Sequence, residues 1–196
     1  TVPVLVLFAA FNVGPALYAV YLSMTSFNLL TPPEFVGLDN YIRLATDADF
    51  WRAIVVTLKY TILFGPPSWV LGLSLALLLR DKILGRALFR SVFFVPTILS
   101  GVAMTVAWGL LFRLNGPVNA TVGISVPWLT RGDTAIVAIA FLGIWRSAGW
   151  FMVIFLAGLA AIPESLYEAA RIDGAGPVKQ TWHITLPLLR PVFVFV

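Results

Sequence analysis

The chain has 196 residues, of which 60% are hydrophobic and 11% charged, with a mean hydropathy of +0.94. Soluble domains are about 45–50% apolar and about 25% charged, so this composition specifies a membrane protein. The absence of cysteine excludes disulfides, thiolate catalysis and cysteine metal sites, and the net charge of +4 comes from singly scattered basic residues, not a nucleic-acid-binding stripe.

Four apolar runs are long enough to cross a bilayer, which takes about 20 helical residues. They are residues 2–24, 53–79, 91–112 and 134–159, and a fifth begins at Leu188 and reaches Val196. The first lacks a basic leader and a small-residue cleavage site, and so reads as a span instead of a signal peptide. The fifth, unfinished at Val196, predicts that the chain is part of a longer protein. Pro15, the Gly65-Pro66-Pro67 run and Pro96 fall inside spans, where bundled membrane helices tolerate kinks.

After the first span, Pro32-Pro33 marks a turn, and Asp39 or Asn40 is placed to cap a short helix carrying Tyr41, Ile42 and Leu44. The connecting segments are 25–52, 80–90, 113–133 and 160–187. Arg80, Lys82, Arg86, Arg90, Arg171, Lys179 and Arg190 lie in or beside the second and fourth, whereas the longer first and third hold only Arg43, Arg52, Arg113 and Arg131. The positive-inside rule then predicts a cytoplasmic location for 80–90, 160–187 and the N-terminus. Asn119-Ala120-Thr121 matches a glycosylation acceptor, a pattern too short to carry a role.

In the fourth span, Arg146 lies about twelve residues deep, roughly 18 Å at 1.5 Å per residue, near mid-bilayer. A charge there faces the bundle interior or a polar path. Trp145 and Trp150 flank it, so the three residues are candidates for a substrate pathway, with structural polar packing as the other reading. Lys59 is shallow enough to snorkel. His183 stands alone and makes no metal site, and neither a GxxxxGK[ST] loop nor an HExxH motif is present. Acidic residues are missing from the spans, which counts against a proton-coupled carrier.

The segment from Glu168 to Pro187, EAARIDGAGPVKQTWHITLP, is polar punctuation between two apolar runs. Pro163 suits a first helical position, Glu164 suits the first turn, and Gly174 and Gly176 end the helix. Pro177 restarts a second helix whose Val178, Thr181, Trp182 and Thr185 make one semi-apolar face, until Leu186-Pro187 breaks it at the membrane. Small Ala169 and Ala170 allow a partner to approach closely, and Glu168 offers a carboxylate to an arginine or lysine.

Glu168, Ala169, Ala170, Gly174, Ile184, Leu186 and Pro187 match every specified position of the EAA loop of permease subunits of binding-protein-dependent ABC importers. FVGLDNYIRL at 35–44, FRSVFFVPTILSGVAMTVAW at 89–108 and IFLAGLAAIPESLYEAARIDGAG at 154–176 extend the resemblance to the carbohydrate-uptake group, and within it to the maltose-type first permease half. The resemblance implies an all-α polytopic membrane protein, a kinked helix bundle of the type I importer permease fold. Residues 1–196 would be one permease domain, truncated at its C-terminus.

It further implies a non-catalytic subunit forming half of a translocation pathway for a sugar or related polyol. The EAA loop, about 160–187, would dock as a coupling helix on a cytoplasmic ATPase. Glu168 would anchor it, Gly174 would permit the turn, and Ile184, Leu186 and Pro187 would fix it to the next span. The implied partners are a second homologous permease, two ATPase subunits carrying ATP and Mg, and an extracytoplasmic solute-binding protein, in the prokaryotic cytoplasmic membrane. No cofactor is implied in this chain. A secondary, ion-coupled transporter of small polar solutes is the alternative.

Overall fold

The computed structural model describes residues 2–80 and 84–196; Asp81 and Lys82, which enter the charge count above, lie outside the described residues. The chain divides into two compact units, Thr1–Leu58 and Lys59–Val196.

The first unit opens with a 22-residue apolar helix, Val2–Ser23. Pro15 does not break it. Residues Ala9–Val13 widen into a π turn in which the Gly14 N–H bonds the Ala9 carbonyl, and the ring is accommodated without ending the helix. Beyond it, Thr25–Ser26 pairs antiparallel with Glu34–Phe35. The loop they enclose is tied by Asn28, whose Oδ1 accepts from the Leu30 and Thr31 N–H groups at 3.1 and 2.9 Å.

A short helix, Asp39–Thr46, follows where the sequence predicts one, but its capping differs: Leu38 is the N-cap, and no side chain caps it. Asn40 instead donates to the Ser23 and Thr25 carbonyls at 2.9 and 2.8 Å. A helix C-terminus leaves carbonyls without intrahelical partners, and Asn40 satisfies one of them at Ser23. The Ser23 and Tyr41 hydroxyls lie 2.6 Å apart, a second tie.

The second unit is organised around the helix Gly132–Ala160. Against it lies the helix Ala48–Leu78, which continues through Pro66 and Pro67. Phe64 meets Gly143, Ser68 meets Ser147 at 3.4 Å, and Gly72 meets Phe151, so the two helices run in the same direction. The helix Arg86–Ile98 packs on another face, with Phe93 at Gly149 and the Thr97 hydroxyl donating to the Arg146 carbonyl at 3.0 Å, so it runs the opposite way. A Cβ on Gly149 would overlap the Phe93 carbonyl, and one on Gly72 would overlap the Phe151 side chain. Small residues let membrane helices approach closely, where packing replaces a hydrophobic driving force.

The predicted third span is not one straight helix. Arg86–Ile98 and Gly101–Leu111 are bent by 95° across Leu99 and Ser100. Leu99 is extended and Ser100 takes φ −56°, ψ 124°, so two consecutive residues leave helical geometry. At 1.5 Å per residue the first arm is about 20 Å long, short of a hydrocarbon core of about 30 Å.

Past the bend, the short helix Pro117–Val122 is knotted by Asn119. Its Nδ2 donates to the Leu114 and Val126 carbonyls, and its Oδ1 accepts from Trp128 Nε1 at 2.8 Å. With the residue buried, Asn119 holds the loop together and presents no free amide for glycosylation.

The core of this unit gathers at the opposite end, where Leu75, Ala76 and Leu79 meet Met152, Phe155, Leu156 and Leu159, together with Tyr167 and Leu189. That end carries the polar hairpin.

Candidate functional site: the polar hairpin

The hairpin consists of the helix Glu164–Ile172, a four-residue turn and the helix Pro177–Gln180. Pro163 stands at the N-cap with extended backbone, one residue before the predicted first helical position, because its ψ of 131° lies outside the helical region. The turn closes as a Schellman motif: Gly174 N–H bonds the Arg171 carbonyl at 3.1 Å and Ala175 N–H bonds the Ala170 carbonyl at 2.8 Å. This geometry needs Gly174 at φ +77°, a region L side chains occupy at a cost of about 1–2 kcal/mol. Gln180 then donates from Nε2 to the Ala175 carbonyl at 2.7 Å, bracing the turn from the second helix.

Pro187 does not end this second helix, contrary to the sequence expectation. Residues Thr181–Thr185 form a π turn, the Leu186 N–H bonds the Thr181 carbonyl, and helix continues through Leu186–Leu188. It is the same solution as at Pro15: one added residue per turn precedes the proline. The widened turn also splits the predicted apolar face. Thr185 is buried, while Val178 and Trp182 stay 69% and 66% exposed.

Thr185 turns inward to meet Tyr167, with the two hydroxyls 2.9 Å apart. Tyr167 is only 3% exposed, and the Arg80 guanidinium lies 3.8 Å above its ring. Arg80 Nη2 also pairs with Glu164 Oε2 at 3.0 Å, and Arg171 Nη2 with Glu164 Oε1 at 3.1 Å. Arg80 follows the helix Ala48–Leu78, so this network joins a transmembrane helix to both arms of the hairpin.

The terms differ in weight. The Glu164 pairs, with a carboxylate 62% exposed, contribute at most about 1 kcal/mol each. The cation–π contact contributes about 0.5–2 kcal/mol. Burial of the Tyr167 ring is the largest contribution, since removing a buried aromatic costs about 3–5 kcal/mol.

Among the residues expected to act in coupling, Glu168 and Ala169 are exposed and Ala170 is half-buried. Glu168 forms no ion pair among the described residues, whereas Glu164 one turn earlier is doubly engaged. Ile184 packs against the core, and Leu186 and Pro187 are half-buried where the chain re-enters it. Leu166, Ile172, Val178 and Trp182 add exposed apolar surface on the same hairpin. A cleft of about 420 Å³ separates the hairpin from the end of the Ala48–Leu78 helix, lined by Arg80, Glu164, Tyr167, Arg171, Gln180 and Thr185 among others.

The mid-membrane candidates are dispersed. Trp145 lies 5.4 Å from Trp108 in an aromatic cluster that also holds Phe112, Phe141 and Trp128. Trp150 is half-exposed, and five residues of helix put it about 140° around the axis from Trp145. Arg146 shares a side with Trp150, is exposed, and forms no ion pair among the described residues. The sequence reading missed Arg80, Tyr167 and Thr185 as a set. Tyr167 sits at an inward position of its helix, but nothing in the sequence marks a partner 84 or more residues distant.

A family model described as "binding-protein-dependent transport system inner membrane component" matches residues 68–196. The chain is 36% identical over 98% of its length to the probable ABC transporter permease protein YesP of Bacillus subtilis, covering 64% of that protein. It is 33% identical, again over 98%, to the trehalose/maltose transport system permease protein MalF of Thermococcus litoralis, covering 67% of it. A crystal structure of a bacterial ABC transporter that imports the acidic polysaccharide alginate aligns with TM-score 0.76 at 25% identity. That alignment covers 98% of this chain and 67% of the other. The chain thus spans about two thirds of the length of the curated relatives it matches.

Proposed function

The chain belongs to the family of binding-protein-dependent transport system inner membrane components, with the all-α type I permease fold, and from that membership we propose its role in import. It is a permease, not an enzyme. In the proposed role it forms half of a translocation pathway for a sugar or related polyol beside a second homologous permease, as part of one permease domain. The names of its relatives support the substrate class, since they include a trehalose/maltose permease and a multiple sugar-binding transport permease of Streptococcus mutans.

In this reading an extracytoplasmic binding protein delivers the substrate. A related alginate transporter has been crystallised with its periplasmic protein bound to an alginate pentasaccharide. Two cytoplasmic ATPase subunits, which hold ATP and Mg, grip the hairpins. Segments 80–90 and 160–187 face the cytoplasm, and so does the N-terminus. Supporting a shared side for the two segments, the Ala48–Leu78 and Gly132–Ala160 helices run in the same direction and Arg80 reaches Glu164.

The observation that carries the reading is the contrast at Glu168. A carboxylate free of ion pairs among the described residues, beside exposed Ala169, projects from a hairpin that Tyr167 and Arg80 fasten to a transmembrane helix. A partner that pulls on this surface pulls on the helix. Ile184, Leu186 and Pro187 connect the second arm to the next membrane segment, so motion passes along both arms.

The test is the ATPase retained when the full-length permease is purified. Glu168→Lys replaces a charge-assisted contact of about 1.5–3 kcal/mol with repulsion, so retention falls tenfold or more. Unchanged retention and unchanged uptake would exclude the docking role.

A further inference from the structure

We propose that the groove between the start of the Arg86–Ile98 helix and the end of the Gly132–Ala160 helix binds the phosphodiester headgroup of an anionic phospholipid. Two cavities carry the inference. One, of about 420 Å³, is lined by Arg80, Arg86, Leu156, Leu159, Ala160 and Glu164 among others. The other, of about 290 Å³, is lined by Arg90, Val153, Leu156, Ala157 and Ala160. They share Leu156 and Ala160 and so form one groove with a basic end and an apolar wall.

Arg86 and Arg90 are four residues apart on one helix, which places both guanidinia on one side. Among the described residues, the Nε atoms of both are buried with no hydrogen-bond partner. A buried donor left unpaired is destabilising, more so when it is charged, so the site is incomplete without an acceptor. Among the described residues no carboxylate is within ion-pair distance of either arginine, and the single acid on the groove, Glu164, is already shared by Arg80 and Arg171. Among the described residues the local surplus is therefore positive.

Phosphate suits two neighbouring guanidinia because each fork can donate two hydrogen bonds to its oxygens. The N-terminus of a 13-residue helix adds its dipole to the same end. What selects a lipid over free phosphate is the wall. Val153, Leu156, Ala157 and Ala160 continue the groove along the central helix, and the two alanines leave room for an acyl chain beside the backbone. Basic pockets between transmembrane helices hold anionic headgroups by this combination.

The inference needs the chain to lie in a bilayer but not the coupling role of the hairpin, so the two fail separately: Glu168→Lys leaves lipid binding unchanged. The experiment uses the assembled full-length transporter and a phosphatidylglycerol bearing a photoactivatable acyl chain, with the phosphatidylcholine analogue as control. Crosslinked peptides are mapped. Phosphatidylglycerol is expected to label the peptides spanning 86–93 and 153–160, with phosphatidylcholine labelling them at least fivefold less by the order of the charge term.

Excess inorganic phosphate leaves that labelling in place, and the paired change Arg86→Gln with Arg90→Gln lowers it roughly tenfold or more. Equal labelling by both lipids, or labelling confined to other peptides, overturns the site. Full displacement by inorganic phosphate shows a free-anion site and overturns the lipid assignment. The comparison of lipids on the unaltered protein decides the matter even if the double variant does not assemble.

Discussion

The two ends of the central helix Gly132–Ala160 are held by different chemistry. At its C-terminal end, Arg80, Glu164, Tyr167, Arg171 and Thr185 join segments far apart in sequence through charge, a cation–π contact and a hydroxyl pair. At its N-terminal end, Trp108, Phe112, Phe141 and Trp145 cluster with Trp128, and Asn119 ties the local loop. The polar end is directional and presents the exposed Glu168 carboxylate nearby. The aromatic end is non-directional, and its Trp108 and Phe112 belong to the arm and loop that follow a bend of 95°.

The largest expected effect lies between these ends. Gly149→Leu places a side chain where the Phe93 carbonyl already sits, and a backbone atom has little freedom to retreat. Overpacking costs about 1–3 kcal/mol where the core can adjust, and here the helix pair itself must separate. The expected result is loss of folded, monodisperse protein in detergent size-exclusion chromatography. A variant with the normal elution profile and normal melting temperature contradicts the close approach.

Next in size is Tyr167→Ala, which empties the position that holds the hairpin and should cost about 3–5 kcal/mol. Tyr167→Phe isolates the hydroxyl pair with Thr185, a loss of about 1 kcal/mol. Both should lower thermal stability in that order, and both should raise the ATP hydrolysed per substrate imported. If the alanine variant keeps the normal ratio, the hairpin does not act through its attachment to the membrane helix.

Arg146→Ala sharpens the contrast from the other side. If Arg146 lines the pathway, uptake falls while expression and ATPase retention stay normal, because Arg146 makes no ion pair among the described residues that folding would miss. Undiminished uptake removes Arg146 from the pathway. The smallest effect belongs to Glu164→Gln. Its two ion pairs are exposed, and the melting temperature should shift by the equivalent of about 1 kcal/mol or less.

The same contrast separates what was legible in the sequence from what was not. The hairpin could be read because its punctuation is local: Gly174 takes positive φ, Pro177 restarts the helix, and Glu168 with Ala169 lies outward. The long spans were legible from apolar run length, and the ends of the observed helices Ala48–Leu78 and Gly132–Ala160 differ from the expected ones by one to five residues.

Among the prolines only Pro187 misled, since it was expected to end its helix, while Pro15, Pro66 and Pro67 lie inside their spans as expected. Pro15 and Pro187 each follow a π turn and stay within helix, and Pro66 and Pro67 do not stop theirs, whereas the sharp bend falls at Leu99 and Ser100 without a proline at either position. Periodicity assumes a uniform turn, and an added residue per turn shifts every face beyond it, which is why Thr185 and Trp182 parted. Ser100 before Gly101 was the available signal for a new helix start, but an unbroken apolar run hides it.

The central claim, that an ATPase grips this hairpin, is tested most directly by labelling at Ala169. Residues 1–196 contain no cysteine, so Ala169→Cys, in a full-length permease with any cysteine outside these residues replaced by serine, gives a single reporter. In the full-length permease freed of its ATPase, a membrane-impermeant maleimide should modify it rapidly from the cytoplasmic face. In the assembled transporter the account predicts strong protection. Equal modification in both states, with the ATPase demonstrably bound, would contradict it.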